Sequence, residues 1–293
     1  MSGEYNQLLE AVIGHLESAK AAGQQFIALP PETLQSLNAA PKPAAVRVPA
    51  SGPARSPQPA APVVPVAPTL PTPPAPARVV AEVRVASPEK TQAIAELRER
   101  AMQCVKCPNL AATRTNVVFG VGNIDAELMF VGEAPGADED AAGEPFVGAA
   151  GQLLTKMIAA MGLSREQVYI ANILKCRPDM PGGSSGNRKP KPEEMQTCIP
   201  YLHAQIDLIQ PKVLVGLGGT AIEGLLGKSG ITKLRGQWHT YRGIPLMPTY
   251  HPAYLLRNQS NAEKRKVWED LMAVMETLGL AINEKQRGYF ARG

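Results

Sequence analysis

The sequence predicts an α/β protein: a three-layer α/β/α domain on a central four-stranded parallel sheet, preceded by short N-terminal helices and a disordered Pro/Ala-rich linker. Three observations carry this. Four apolar runs, at 127–133, 168–175, 213–218 and 245–251, alternate with segments of helical periodicity. The first three runs are unbroken, as in strands buried on both faces of a parallel sheet. Half of the 28 prolines fall within residues 41–90, a density that neither helix nor sheet tolerates.

In chain order, residues 4–38 read as short helices. Leu8, Leu9, Val12, Ile13 and Leu16 recur at helical spacing, and "LPPETLQSL" reads as a second helix begun by proline. Residues 41–90 interleave Pro with Ala and Val and read as a solvated, semi-extended tether. The globular pattern starts at about Thr91, so the expected organisation is 1–40, 41–90 and 91–293. Within the last part, helices are expected at 151–161, 192–209 and 220–226 between the strands, and an amphipathic helix at 262–278 closes the chain. Ligands of such sheets gather at the carboxyl ends of the strands. "GEAPG" ends the first strand, "TYHPAYLLRN" ends the fourth, and Asn172 lies three residues short of the end of the second.

Charge narrows the function only a little. The net +4 is uneven: residues 1–40 carry −3 and the tether +4. That balance permits a polyanionic partner without requiring one. The sequence has no apolar stretch of the ~18 residues a membrane span needs, and its first residues are acidic where a signal peptide would be basic. An intracellular, membrane-free protein without stable disulfides is expected.

Two features ask for chemistry. "GEAPGADED" closes a buried strand in a Gly/Pro turn with Glu133 at its mouth, and a turn does not need that acid. Asp138, Glu139 and Asp140 read as a solvated cluster at a helix start, favoured by the helix dipole. The second feature is the four cysteines. Cys104 and Cys107 form C-x2-C, and Cys198 lies 22 residues after Cys176, which ends the second strand. In an intracellular chain this set points to metal ligation rather than disulfides, with four separate buried thiols as the alternative. Zinc and a four-thiolate iron–sulfur cluster both satisfy the spacing.

"CVKCPNLAATRTNVVFGVGN", "LMFVGEAPGADEDAAGEPFVGAAGQLL", "VYIANILKCRP", "NRKPKPEEMQTCIPYL" and "YHPAYLLRN" occur in this order. The set resembles the family 4 uracil-DNA glycosylases, enzymes of base excision repair that carry a [4Fe–4S] cluster. The resemblance runs from Cys104 to Arg257 and on through the final helix; it does not reach residues 1–90. It implies a glycosylase domain at 91–293 that flips uracil out of DNA and hydrolyses its N-glycosidic bond, with Cys104, Cys107, Cys176 and Cys198 as cluster ligands. It also implies a cytoplasmic, nucleoid-associated monomer with uracil-containing DNA as substrate. A non-catalytic Fe–S DNA-binding module of the same fold is the alternative.

The implied pocket can be checked against what each residue can do. A flipped base needs a flat partner, and Phe146 matches the family's stacking residue. One amide can donate to uracil O4 and accept from N3–H, which Asn172 provides; cytosine would meet donor with donor. His251 matches the residue that contacts O2, where charge develops as the bond breaks, and a neutral donor suffices. Gly132, Glu133 and Ala134 form the turn under the base. Family 1 enzymes read Gly-Gln-Asp-Pro there, so Ala134 stands at their acid's position and Glu133 takes the water and sugar-charge role. Leu255 or Leu256 is expected to wedge into the gap left by the base, with Arg257 on a phosphate. Lys175, Arg177, Arg188 and Lys189 are expected near phosphates through the cluster. The loop 177–194 contains no His, so the covalent trapping of a related branch lacks its nucleophile.

The N-terminal helix on its tether reads as a docking segment for a replication or repair protein. Removing residues 1–90 is expected to leave excision from a short uracil oligonucleotide unchanged, measured as a single-turnover rate; loss of activity would refute this.

Overall fold

Strand β2 (Leu128–Gly132) is buried along its whole length, and its side chains alternate between two apolar layers. Leu128 and Phe130 join one core and Met129 and Val131 the other, as period-2 alternation demands of a central strand. This is why the run is unbroken in sequence. The same division runs through β3 (Tyr169–Asn172), β4 (Val213–Leu217) and β6 (Ile244–Thr249). Ile170, Val215 and Met247 face one way; Ala171, Leu214 and Leu246 face the other.

The computed structural model describes residues 87–180 and 186–290. The expected N-terminal helices and nearly all of the tether lie outside the described residues. The first core is closed by α4 (Ala149–Ala160) and α9 (Asn261–Thr277), through Leu154, Ile158, Leu271 and Val274. The second is closed by α5 (Pro192–Ile209) and α6 (Gly219–Leu226), through Leu202, Ile206 and Ile222. The three-layer α/β/α reading holds, and α5 has the expected bounds. Each such side chain, fully buried, contributes roughly 1.5–3 kcal/mol, so the sheet is held by sandwiching rather than by local propensity.

The sheet has six strands in the order β1-β3-β2-β4-β6-β5. The four expected parallel strands form its middle. Two antiparallel edges were not expected: β1 (Val121–Gly122) on β3 and β5 (His239–Tyr241) on β6. At two and three residues they are too short to show a period. The remaining helices are α1 (Pro88–Met102), α2 (Pro108–Thr113), α3 (Ala137–Ala142), α7 (Ile231–Leu234), α8 (Pro252–Arg257) and α10 (Glu284–Arg287). Helix α1 is capped by Ser87, whose Oγ accepts from Lys90 N at 3.2 Å. No helix among the described residues is long and apolar enough to cross a membrane.

One boundary moves a site residue. β3 ends at Asn172 and not at 175, so Asn172 is the last residue of its strand and pairs with Gly132, the last of β2. Cys176 therefore lies beyond the strand rather than ending it. From β2 the chain crosses to β3 through α4 on one face, then to β4 through α5 on the other. The carboxyl ends of β2, β3, β4 and β6 thus meet at a topological switch point, where open α/β sheets bind ligands.

Asp270, buried on α9, ties that helix to Arg235 at the end of α7 and to Thr249 of β6. Arg235 pairs with Asp270, and Thr249 Oγ1 donates to Asp270 Oδ2 at 2.6 Å. The Arg235 guanidinium also lies 5.6 Å from the centre of the Tyr250 ring. Asp270→Ala strands the guanidinium and is expected to cost about 3–5 kcal/mol, read as a fall in Tm. Replacing both Arg235 and Asp270 by Leu is expected to cost less than D270A alone.

Candidate active site

Gly132 shows how tightly the strand ends converge. A Cβ built there would lie 2.3 Å from Asn172 Oδ1 and 2.6 Å from Phe146 Cζ, so only glycine allows the amide and the ring to meet over β2. The Phe146 ring stacks on His251, with centroids 5.5 Å apart and planes inclined by 29°. Gly132, Phe146, Asn172 and His251 are therefore contiguous, although they come from four separate segments.

Asn172 is 2 % exposed, and its Oδ1 is buried with no hydrogen-bond partner. An orphaned buried acceptor costs about 1–3 kcal/mol, a cost that a ligand N–H would remove. The backbone of Asn172 is fixed from behind: its carbonyl accepts from Lys175 Nζ at 2.8 Å, and the same ammonium donates to Gln205 Oε1 at 2.6 Å. Gln205 in turn donates to Phe119 O and Tyr169 Oη. Lys175 is thus sealed in the core and is no phosphate ligand, contrary to the sequence reading; two polar partners and the face of Phe119 replace its water.

His251 is the residue that caps α8. Its Nδ1 accepts from Ala253 N at 3.1 Å, so the neutral ring carries its proton on Nε2 and presents a donor there. Burial is the main cause that pulls its pKa down to about 4; Arg257 adds to the shift and Glu139 opposes it. The ring is a neutral donor at pH 7.

A cavity of about 460 Å³ opens beside this group, lined by Glu133, Ala134, Gly218, Tyr250, His251 and Arg257 among others. Phe146 and Asn172 are buried and do not line it; His251, which stacks on Phe146, does. Burial pushes the Glu133 carboxyl above the usual carboxylate range, partly offset by the Thr220 hydroxyl and the Lys189 ammonium. A half-buried acid facing a neutral histidine is a pair suited to charge that changes during a reaction.

Helix α8 separates Leu255 from Leu256. Leu255 is 6 % exposed and belongs to the core under α4, so it is no DNA wedge; Leu256, one residue on and about 100° round the helix, is 39 % exposed. Arg257 is exposed beside it on the cavity rim. On the far side of Leu256 lies an apolar hollow of about 600 Å³ floored by Met157, Trp268 and Leu271. Of the expected basic residues, Arg188 makes a bidentate pair with Glu194 at 2.6 and 2.8 Å, Lys189 pairs with Glu223 at 2.6 Å, and Arg177 holds Asn187 and Gly186.

The acids after the turn also differ from expectation. Asp140 is buried, not solvated, and its carboxylate accepts from the amides of Thr115 and Asn116. Glu139 accepts from the amides of Gly136, Val147 and Gly148. Only Asp138 is exposed, although all three do lie in the first turn of α3. Sequence reasoning missed these anchors because a solvated acid and one that accepts backbone amides look alike in sequence.

The four cysteines gather in a third apolar nucleus with Leu97, Leu110, Leu174 and Tyr201. Burial pushes up the thiols of Cys107 and Cys176, and that of Cys198 to about 12. Arg114 Nη1 lies 3.2 Å from Cys176 Sγ, and Lys175 N lies 3.2 Å from Cys198 Sγ. Among the described residues, no three His, Cys, Asp or Glu side chains are grouped to hold a single ion.

This sheet edge thus brings together a buried amide oxygen without a partner, a ring stacked on a histidine, and that histidine's free Nε2–H. A model of the "Uracil DNA glycosylase superfamily" matches residues 119–272. A type-4 uracil-DNA glycosylase of Thermotoga maritima is 48% identical over 178 residues, covering 59% of this chain and 88% of the relative. One of Sulfurisphaera tokodaii is 42% identical, covering 68% and 90%, and one of Archaeoglobus fulgidus is 44% identical, covering 57% and 88%. This chain belongs to the uracil DNA glycosylase superfamily, in its type-4 branch.

At pH 5.5 the His251 imidazole is expected to remain neutral with its proton on Nε2, read from its ¹⁵N chemical shifts. A protonated ring, or a proton on Nδ1, would contradict the capping geometry.

Proposed function

We propose that this chain is a uracil-DNA glycosylase that takes uracil out of the DNA stack and hydrolyses its N-glycosidic bond, leaving an abasic site. The observation that carries the reading is the buried, unpartnered Oδ1 of Asn172. It is an acceptor waiting for an N–H, and N3–H of uracil is such a donor where cytosine N3 is not. The names of the type-4 relatives agree with it.

In this mechanism the base lies against Phe146 with its Watson–Crick edge on Asn172. As the bond breaks, negative charge builds on uracil O2 and positive charge on the sugar. His251 Nε2–H donates to O2; because the ring is already neutral, it stabilises the anion as a hydrogen-bond donor without a proton transfer. Glu133, ionised, faces the sugar's positive charge and orients the attacking water. Its raised pKa places the acid limb of the reaction above the ordinary carboxylate range: activity falls as the pH drops through the Glu133 value and Glu133 becomes protonated. Leu256 fills the gap left in the duplex, and Arg257 holds a phosphate.

The thiol nucleus suits a [4Fe–4S] cluster on Cys104, Cys107, Cys176 and Cys198. The donor set is all sulfur, as iron–sulfur chemistry requires. Arg114 and the Lys175 amide supply hydrogen bonds toward the sulfurs. The bound cluster would supply a cross-link that staples the start of the domain and α5 to the edge of the sheet.

The test is excision from an oligonucleotide with a single uracil, followed by alkaline cleavage at the abasic site. The wild-type chain is expected to cut at uracil and not at cytosine. Asn172→Asp is expected to admit cytosine, because a protonated acid can donate to N3 of that base while accepting from its amino group. A chain that binds uracil DNA and cuts nothing would be a binding module instead.

A further inference from the structure

The ring proposed to stack on the base is held in an unusual way. Phe146 has φ +55°, a left-handed conformation that a bulky non-glycine residue adopts only when its surroundings over-determine it. Residues 145–148 form a short loop between α3 and α4 with no strand or helix of their own. Something outside the loop must impose the conformation.

Two charged side chains do so from opposite flanks. Glu139 Oε1 accepts from Val147 N and Gly148 N, both at 3.0 Å, while its Oε2 accepts from Gly136 N at 3.0 Å in the turn that carries Glu133. Arg165, from beyond α4, donates through Nη2 to Pro145 O at 2.9 Å and through Nη1 to Phe146 O at 3.1 Å. One carboxylate thus takes the amides that follow Phe146, and one guanidinium takes the carbonyls at and before it. Gly151 closes the remaining side: a Cβ there would lie 1.8 Å from Phe146 O, so α4 presses directly on the loop backbone.

We propose that Glu139 and Arg165 are positioning residues for pyrimidine binding, gripping residues 145–148 so that the Phe146 ring stands over Gly132 and beside Asn172 and His251. Glu139 also sets the distance between that ring and the Glu133 turn, because its two oxygens bond one to each. This role rests on the glycosylase reading of the site. Neither residue touches the substrate; each acts through the Phe146 backbone. Charge matters here, since a carboxylate accepting several amides and a guanidinium bridging two carbonyls are both stronger and more directional than neutral equivalents.

The test uses the full chain with its metal content intact. E139A and R165A are expected to lower single-turnover kcat/KM on uracil DNA by roughly tenfold to a hundredfold, the scale of a misplacement near 1 Å. Inhibition by free uracil is expected to weaken in parallel, and binding to undamaged DNA to stay unchanged. E139Q and R165K are expected to fall between these variants and wild type, and they stand in should an alanine variant fail to fold. The deciding measurement is the double variant. In a Phe146→Ala background, R165A is expected to cost less than about threefold, because the guanidinium then holds no ring in place. Full additivity there, or wild-type rates in E139A and R165A beside an active wild type, overturns the positioning role. A wild-type chain without excision activity overturns the glycosylase reading, and the role with it. Hydrogen exchange at the Val147 and Gly148 amides separates the two cases, since E139A must speed it if the grip is real.

Discussion

A primary amide buried at the last residue of a central strand governs the architecture of this site. Burying it without a partner is unfavourable, and the fold pays for that in several places at once. Gly132 gives up a side chain so that Oδ1 can approach β2. Lys175 and Gln205, both buried, hold the amide's own backbone from the other side. A polar group held so firmly and left unspent gains most from a ligand that completes it and loses most from one that does not, which is how a small pocket discriminates between bases of the same shape.

Around the amide the electrostatics divide between two groups. Burial holds the His251 ring neutral and lifts the Glu133 carboxyl above its ordinary range, so one cause acts on both groups in opposite directions. The histidine's polarity is set by geometry, because the first turn of α8 consumes Nδ1 and leaves only Nε2–H for a ligand. The acid is less confined and faces the open cavity. In the proposed reaction the pair would separate a fixed donor from a titratable carboxylate, as a bond that becomes negative on one side and positive on the other requires.

Much of this was legible in the sequence, and the reason is periodicity. The two-core division of β2, β3 and β4 leaves unbroken apolar runs, and α5 declares its 18 residues through its apolar stripe. The sequence singled out Gly132, Phe146, Asn172 and His251 largely through the resemblance, and the structure brings these four residues together. What stayed hidden depends on direction rather than composition. Leu255 and Leu256 differ by one residue, and only the phase of α8 decides which is core. Asp140 and Lys175 look like solvated charges, yet long-range partners bury both: Thr115 and Asn116 for one, Gln205 for the other. No local pattern announces a partner 25 or 30 residues away.

One residue links the sulfur-rich nucleus to the amide at the strand end. Lys175 sends its amide to Cys198 and its ammonium to the carbonyl of Asn172. The same residue is therefore in contact with both centres. Under the proposed reading, a shift among the thiols would be passed to Asn172 through this one residue.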